Sequence, residues 1–152
     1  MLFESNIRTP IGYLTAVDDG FALLSLQTAP EATEEKITGS VAKELKVQLG
    51  EYFDGKRKEF TIPFILKGTP FQKEAWMALC DIPYGETRSY KQQAESLGRP
   101  NAYRAVGGAN HVNPIMILVP CHRVVGADGR LTGYAGGLKI KQFLLDLEQK
   151  YK

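Results

Sequence analysis

A cysteine and a histidine stand next to each other at positions 121 and 122 of the chain. Cysteine attacks other molecules as its thiolate, so Cys121 needs a nearby base or a positive field. His122 is the candidate base, and Arg123 adds positive charge. Adjacent side chains of an extended segment point to opposite faces, so His122 would reach Cys121 through a backbone bend or a bridging water. The pair predicts a nucleophilic thiol.

The imidazole of His122 needs a hydrogen-bond acceptor to fix its tautomer. Glu148 is the candidate acceptor, in a C-terminal segment whose apolar residues recur at helical spacing. Those apolar residues are Ile140, Phe143, Leu144 and Leu147. An inert core thiol is the alternative for Cys121. Cys80, beside Leu79 in a predicted helix, is expected to be such a core residue.

Other chemistries of a thiol are less well supported. His111 together with Cys121 and His122 suggests a metal site, but no Cys-x-x-Cys or His-x-x-x-His spacing accompanies them. The same lack of a Cys-x-x-Cys pair argues against a general thiol redox enzyme. No Gly-x-Gly-x-x-Gly follows a strand, which argues against a nucleotide-type methyl donor. We therefore predict neither metal nor cofactor.

The charge of the chain is unevenly distributed. Its 152 residues are 43% hydrophobic and 24% charged, which is typical of a soluble, folded protein, with a formal net charge of +2. Residues 1–66 have a net charge of −3, and residues 67–152 have +5. Contact between the second part and a polyanion is one interpretation, and a chance fluctuation on a solvated surface is the other.

Nothing in the chain is typical of a membrane span or an export signal. The longest apolar run, residues 115–119, is far shorter than the roughly 20 residues that a spanning helix needs. The first residues lack a charged region followed by an apolar one. We therefore expect a cytoplasmic protein whose cysteines are free thiols.

The elements that must position these residues form two groups. In the first, residues 11–17 and 21–26 flank an Asp-Asp-Gly turn and predict a β-hairpin. A helix is expected over residues 31–54 and another strand, at an edge because of Pro63, over residues 60–64. These elements make a small α+β lobe over residues 1–66.

The second group is mostly helical. Thr69 and Pro70 predict the start of a helix that runs to about Cys80. Ser89 begins a capping box and Gly98 ends that helix, after which Asn101 is expected to cap another. The pattern fits a helix-turn-helix, or alternatively a plain helical hairpin.

The predicted fold class is thus α+β. The N-terminal lobe, residues 1–66, is followed by a mostly helical domain, residues 67–152, with the helix-turn-helix and a strand that delivers the active-site cysteine.

Five motifs of the second domain resemble the O6-alkylguanine-DNA alkyltransferases, the methylated-DNA–protein-cysteine methyltransferases. They occur in the family's order and cover about residues 69–149. They are the segment at 82–90, the Arg-Ala-Val-Gly-Gly-Ala run at 104–109, Asn-Pro at 113–114, Pro-Cys-His-Arg-Val at 120–124 and Tyr-Ala-Gly-Gly-Leu at 134–138.

The resemblance implies a role for each matching residue. Cys121 would accept the alkyl group, with His122 as its base through a water and Glu148 orienting His122. Asn113 would brace the turn before the cysteine, and Tyr90 would contact a phosphate and donate a hydrogen bond to guanine. The implied DNA contacts are Arg104, which enters the base stack, with Tyr90, Ala105, Gly107 and Arg123. The implied pocket residues are Val124, Tyr134, Ala135 and Gly136.

The implied function is DNA repair in a single turnover. A methyl group would pass from O6-methylguanine to Cys121 after the base is flipped out of the duplex, and the sequence leaves open whether O4-methylthymine is a second substrate. The implied partner is double-stranded DNA that contains alkylated guanine, and the protein is expected to be a monomer. The alternative is a DNA module that binds alkylguanine without repairing it.

Overall fold

A computed structural model describes all 152 residues, which divide into two compact units, Met1–Leu66 and Lys67–Lys152. The first unit contains an antiparallel sheet of three strands in the order β1 (Phe3–Thr9), β2 (Gly12–Asp18) and β3 (Leu23–Thr28). The hairpin between β2 and β3 was predicted from its Asp-Asp-Gly turn. The Asp19 carboxylate stabilises that turn by accepting hydrogen bonds from two backbone amides, those of Phe21 and Ala22.

The helix of the first unit is shorter than its sequence predicts. Helix α1 spans Ser40–Phe53, and Gly39, with a φ of 89°, precedes it. Residues 31–39 are not helical, and Lys36 instead exchanges backbone hydrogen bonds with Asn6 of β1. The apolar stripe of α1 and the inward face of the sheet provide the core of this unit. Its buried members include Ile7, Leu14, Leu26, Leu45 and Leu49.

The prediction of a strand over residues 60–64 is also wrong. Phe64 makes a single bridge to Leu23, with hydrogen bonds from Leu23 to Pro63 and from Ile65 to Leu23. Proline has no backbone N–H to donate, so a regular ladder cannot extend through Pro63.

In the second unit, two helices begin at complete capping boxes. Helix α2 spans Pro70–Cys80, and the Thr69 side chain accepts from the Gln72 amide. Helix α3 spans Tyr90–Ser96 and is capped by Ser89 in the same way. These starts were predicted from local sequence signals.

A tight turn joins α3 to helix α4, which spans Tyr103–His111. Gly98 in this turn has a φ of 71°, the left-handed conformation expected after a helix end. Asn101 does not cap α4: Ala102 is the N-cap residue and makes no side-chain capping bond. The predicted pair of short helices is nevertheless present.

Two short strands and one long helix complete the second unit. Strand β4 (Arg88–Ser89) pairs in parallel with β5 (Val124–Val125), and helix α5 spans Leu138–Tyr151. The expected fold class is confirmed, with a small sheet and helix followed by a mostly helical part. No helix is both long enough and apolar enough to cross a membrane.

Candidate active site

Cys121 lies in a short 3₁₀ turn, Cys121–Arg123, immediately before β5. The prediction that a strand delivers Cys121 is therefore wrong. Residues 115–119 form irregular turns, and no strand includes the cysteine. The Cys121 amide donates to the Val119 carbonyl at 2.8 Å, and the Arg123 amide donates to the Pro120 carbonyl at 3.0 Å. Cys121 is buried, with 8% of its surface exposed.

Asn113 spans the turn that precedes the cysteine. Its Nδ2 donates to the Val119 carbonyl at 2.8 Å, and its Oδ1 accepts from the Ile115 amide at 3.0 Å. The enclosed backbone is unusual because Ile117, a buried β-branched residue, has a φ of 72°. Asn113 thus pairs two buried backbone groups around a strained residue.

His122 and Glu148 form a buried hydrogen-bonded pair. Nε2 of His122 lies 2.7 Å from Oε2 of Glu148, and both side chains are almost fully buried. A carboxylate accepts only, so Nε2 carries the hydrogen. Nδ1 of His122 makes no hydrogen bond within the protein. The free lone pair of a neutral imidazole is therefore on Nδ1.

The prediction that Arg123 contacts DNA is corrected. Its guanidinium donates to both carboxylate oxygens of Glu148, at 2.8 and 3.0 Å, and to the Ile82 carbonyl at 2.7 Å. Arg123 is 8% exposed. Its hydrogen bonds are therefore used inside the protein, where they hold the carboxylate that contacts His122.

The surroundings fix the charges of this network. Burial lowers the pKa of His122, although Glu148 acts in the opposite direction, so the imidazole is neutral near pH 7. Burial alone would raise the pKa of Glu148, but hydrogen bonds from His122 and Arg123 hold it well below its ordinary value. The resting network is a carboxylate, a neutral imidazole and a guanidinium.

Burial also raises the pKa of the Cys121 thiol, while a hydrogen bond with Asn113 and the charge of Lys141 oppose that shift. The thiol is therefore protonated near neutral pH and needs a base to become nucleophilic.

Cys121 lies at a cavity of about 100 Å³. The cavity is lined by Tyr90, Gly107, Asn110, His111, Cys121, Gly133 and Tyr134. Of the predicted pocket and DNA residues, Tyr90, Gly107 and Tyr134 are thus brought to the cysteine. Val124 is fully buried, and neither it nor Ala135 or Gly136 lines the cavity. Arg104 and Ala105 are exposed on α4.

Two buried polar features were not predicted from the sequence. Lys141 of α5 is fully buried, and its Nζ donates to the carbonyl of Thr132 at 2.8 Å. Gln93 and Asn110 exchange amide hydrogen bonds at 3.0 and 2.7 Å, which ties α3 to α4 beside the cavity. The seven-residue spacing of Lys141 and Glu148 was a usable signal, because it places both on one helix face.

The face of α5 that is buried differs from the predicted one. Lys141, Leu144 and Glu148 are buried, whereas Phe143 is 41% exposed. Cys80, expected in the core, is exposed. No group of three or more His, Cys, Asp or Glu residues is placed to hold a metal ion.

The fold and the site define a cysteine-dependent protein, in which a buried thiol, a histidine and a carboxylate adjoin a pair of short helices. Residues 70–150 match the family model described as the DNA-binding domain of 6-O-methylguanine DNA methyltransferase. Residues 2–66 match the model of its ribonuclease-like domain. The chain belongs to the methylated-DNA–protein-cysteine methyltransferase family.

Individual relatives match from 70% to 99% of the chain. The methylated-DNA–protein-cysteine methyltransferase of Mycolicibacterium paratuberculosis is 47% identical, with 99% of this chain and 94% of that protein covered. The protein of the same name from Methanosarcina barkeri is 60% identical over 70% of this chain and 68% of its own length.

Solved structures are similar as well. The O6-methylguanine methyltransferase of Mycobacterium tuberculosis has a TM-score of 0.91 at 44% identity, covering 100% of this chain and 95% of that one. A structure of the Mycobacterium tuberculosis protein in complex with DNA has a TM-score of 0.85 at 46% identity, covering 96% and 92%.

Proposed function

We propose that this protein repairs DNA by transferring the alkyl group of O6-methylguanine to Sγ of Cys121 in a single turnover. The observation that carries the proposal is the position of Cys121, which lines a cavity and directly precedes the buried His122–Glu148 pair. Family membership supplies the substrate class, because the relatives are named for methylated DNA and a cysteine acceptor.

The network suits the activation of a thiol. Neutral His122 has a lone pair on Nδ1, which accepts the Cys121 proton through a water in the mechanism that the resemblance implies. The resulting imidazolium is stabilised by Glu148, which contacts Nε2. Arg123 holds that carboxylate in place and keeps it ionised. Asn113 positions the turn that presents the thiol.

The reaction is a displacement in which the S–C bond forms as the bond between the methyl carbon and O6 of guanine breaks. The electron pair of the broken bond remains on guanine, which leaves more easily when it gains a hydrogen bond or a proton. Tyr90, on the wall of the cavity, is the proposed donor. The product is a thioether on Cys121, a poor leaving group, so each molecule acts once.

The second unit is the proposed DNA-binding and alkyltransferase domain. The family model over residues 70–150 is a DNA-binding domain, and a close structural relative has been solved with DNA. Arg104 is exposed on α4, where Ala105, Gly107 and Gly108 leave little side-chain bulk. We propose that α4 approaches the duplex closely and that Arg104 fills the gap left by the flipped base.

We also propose backbone contacts to the guanine, which the resemblance implies. The carbonyls of Cys121 and Val124 would accept from the guanine amino group, and the Ala135 amide would donate to the alkylated oxygen, with Gly136 beside it. Action as a monomer in the cytoplasm remains a prediction from the sequence.

The test is intact mass measurement after incubation with duplex DNA that contains one O6-methylguanine. The mass should increase by one methyl group in place of a hydrogen, and peptide mapping should locate it on Cys121. Cys121→Ala should remain unmodified, whereas Cys80→Ala, which removes the other thiol, should be modified like the original protein. An unchanged mass with retained binding to the lesion would favour the non-catalytic module instead.

A further inference from the structure

The cavity beside Cys121 is small for its proposed substrate. Its volume of about 100 Å³ is well below the roughly 300 Å³ at which pockets for small molecules usually begin. Gly133 and Tyr134 form part of its wall. Both belong to residues 126–137, which connect β5 to α5 and which we call the strap. This part of the wall limits the space beside the thiol in the DNA-free protein.

Two side chains hold the strap at Thr132. Its carbonyl accepts from the Tyr90 hydroxyl at 3.2 Å and from Lys141 Nζ at 2.8 Å. The Thr132 hydroxyl in turn donates to the Tyr90 oxygen at 3.1 Å. Lys141 also lies 3.5 Å from the Gly133 carbonyl. Thr132 is therefore fixed between the start of α3 and the buried face of α5.

These contacts use the single hydroxyl proton of Tyr90. A tyrosine hydroxyl has one hydrogen to donate, and here it points to the Thr132 carbonyl. In the proposed reaction the same hydrogen is given to guanine. Thr132 and the substrate therefore compete for one donor, and Tyr90 cannot serve both.

The strap has the composition of a segment that can change conformation. Five of its twelve residues are glycine: 126, 129, 133, 136 and 137. Gly129, Gly133 and Gly137 have positive φ values, so these positions use the backbone freedom that only glycine has at no steric cost. Thr132 itself is exposed, and no close packing has to be broken when it leaves Tyr90.

We propose that Thr132 is a gating residue, which occupies the Tyr90 hydroxyl in the DNA-free protein and must release it before an alkylated base enters. The inference rests on the proposed function for its substrate, but the gate is a property of the free protein. Lys141 donates to the same Thr132 carbonyl, so its hydrogen bond must shift or lengthen as well when the strap leaves Tyr90.

The gate can be tested without DNA by comparing two thiol reagents of different size. Methyl methanethiosulfonate is small, whereas N-ethylmaleimide carries a ring that needs a wider opening. The ratio of their reaction rates at Cys121 reports access, because a change in thiol pKa alters both rates together. The measurement uses the Cys80→Ser protein, since Cys80 is exposed and would react as well.

Thr132→Val keeps the side-chain shape but removes the hydrogen bond that the Thr132 hydroxyl donates to the Tyr90 oxygen. Thr132→Ser is the matched control, because serine keeps that hydroxyl. We expect Thr132→Val to raise the maleimide-to-thiosulfonate rate ratio about threefold to tenfold, the effect of one hydrogen bond, and Thr132→Ser to leave the ratio unchanged. Tyr90→Phe removes both bonds and should raise the ratio further. The double variant should match Tyr90→Phe alone.

Equal rate ratios in the Cys80→Ser protein and in all four variants made in it would overturn the gate. The gate would also be overturned if Thr132→Val raised the rate ratio by the same factor in the Tyr90→Phe protein as it does alone, because the two substitutions would then act independently. Failure of the proposed function has a different signature, namely an unchanged mass after incubation with methylated DNA while the reagent ratios still respond to Thr132.

Discussion

Glu148 accepts a hydrogen bond from Nε2 of His122 at 2.7 Å, and both side chains are buried. This contact fixes the hydrogen on Nε2 and leaves the lone pair of the imidazole on Nδ1. It also joins the last helix of the chain to the turn that carries the cysteine. Glu148 therefore acts as a positioning residue for the proposed base.

Replacing Glu148 with glutamine tests that role. Glutamine has nearly the same shape but no charge, so an imidazolium at His122 would lose its stabilising partner. We expect Glu148→Gln to raise the apparent pKa of Cys121 and to slow methyl transfer at neutral pH about tenfold or more. The pH dependence of thiosulfonate reaction at Cys121 measures the pKa, and the rate of methyl transfer measures the second effect.

Asp146→Asn is the matched control, because Asp146 lies on the same helix but is exposed and hydrogen-bonds Gln142. It should behave like the original protein in both measurements. A Glu148→Gln protein whose thiol titrates normally would remove Glu148 from the relay.

The same pair predicts how stability depends on pH. The folded protein holds the pKa of His122 below its ordinary value of about 6.5 and that of Glu148 below about 4.3. The unfolded chain therefore binds more protons than the folded one in acid, and the free energy of unfolding falls as the pH drops. The decline should begin below about pH 6.5 through His122 and steepen below about 4.3 through Glu148.

Urea unfolding between neutral pH and pH 3 measures this dependence. Glu148→Gln has no carboxylate to protonate at this position. Below the ordinary pKa of glutamate, its free energy of unfolding should therefore fall less steeply with decreasing pH than that of the original protein. Parallel curves for the two proteins would show that the buried carboxylate does not have the depressed pKa inferred here.

Local signals in the sequence predicted local structure well. The capping boxes at Thr69 and Ser89 and the glycine after α3 each involve residues within a few positions of one another, so the interaction that decides the structure is visible in the sequence. The prediction that Asn101 caps α4 was wrong although asparagine is a suitable cap residue. The helix begins one residue later, after Ala102.

The residues around the thiol were predictable by type and spacing but not by environment. Pro120–Val124 and Glu148 identified the chemistry, whereas the burial of Arg123 depends on a carbonyl 41 positions away. Lys141 looks like a solvated charge in the sequence because lysine is rarely buried. In the folded chain its Nζ donates to the Thr132 carbonyl of the strap, a contact that the sequence does not reveal.

Asn113 provides a prediction about stability. Asn113→Ala leaves the Val119 carbonyl and the Ile115 amide without their partner in a buried turn. Each unsatisfied group costs about 1–3 kcal/mol, so the free energy of unfolding should fall by about 2–6 kcal/mol. Denaturant unfolding measures the loss.

Asn113→Asp separates the two bonds, because aspartate keeps the acceptor for Ile115 but cannot donate to Val119 while ionised. It should be less stable than the original protein at neutral pH and recover part of the difference in acid, where a protonated carboxyl can donate. Full stability in Asn113→Ala would mean that the turn around Ile117 does not need this brace.

Arg104 separates DNA engagement from chemistry at the thiol. It is exposed on α4, and it is not among the residues that line the cavity beside Cys121. If it fills the gap left by a flipped base, Arg104→Ala should slow methyl transfer from O6-methylguanine in duplex DNA about tenfold to hundredfold, since flipping costs a few kcal/mol. Transfer from the free alkylated base should be unaffected, because nothing has to be flipped.

Lys73→Ala removes an equal charge from an exposed position of α2 and should leave both rates close to those of the original protein. Equal slowing of duplex and free base by Arg104→Ala would instead place its effect on the thiol or on folding, and would refute the proposed insertion into the base stack.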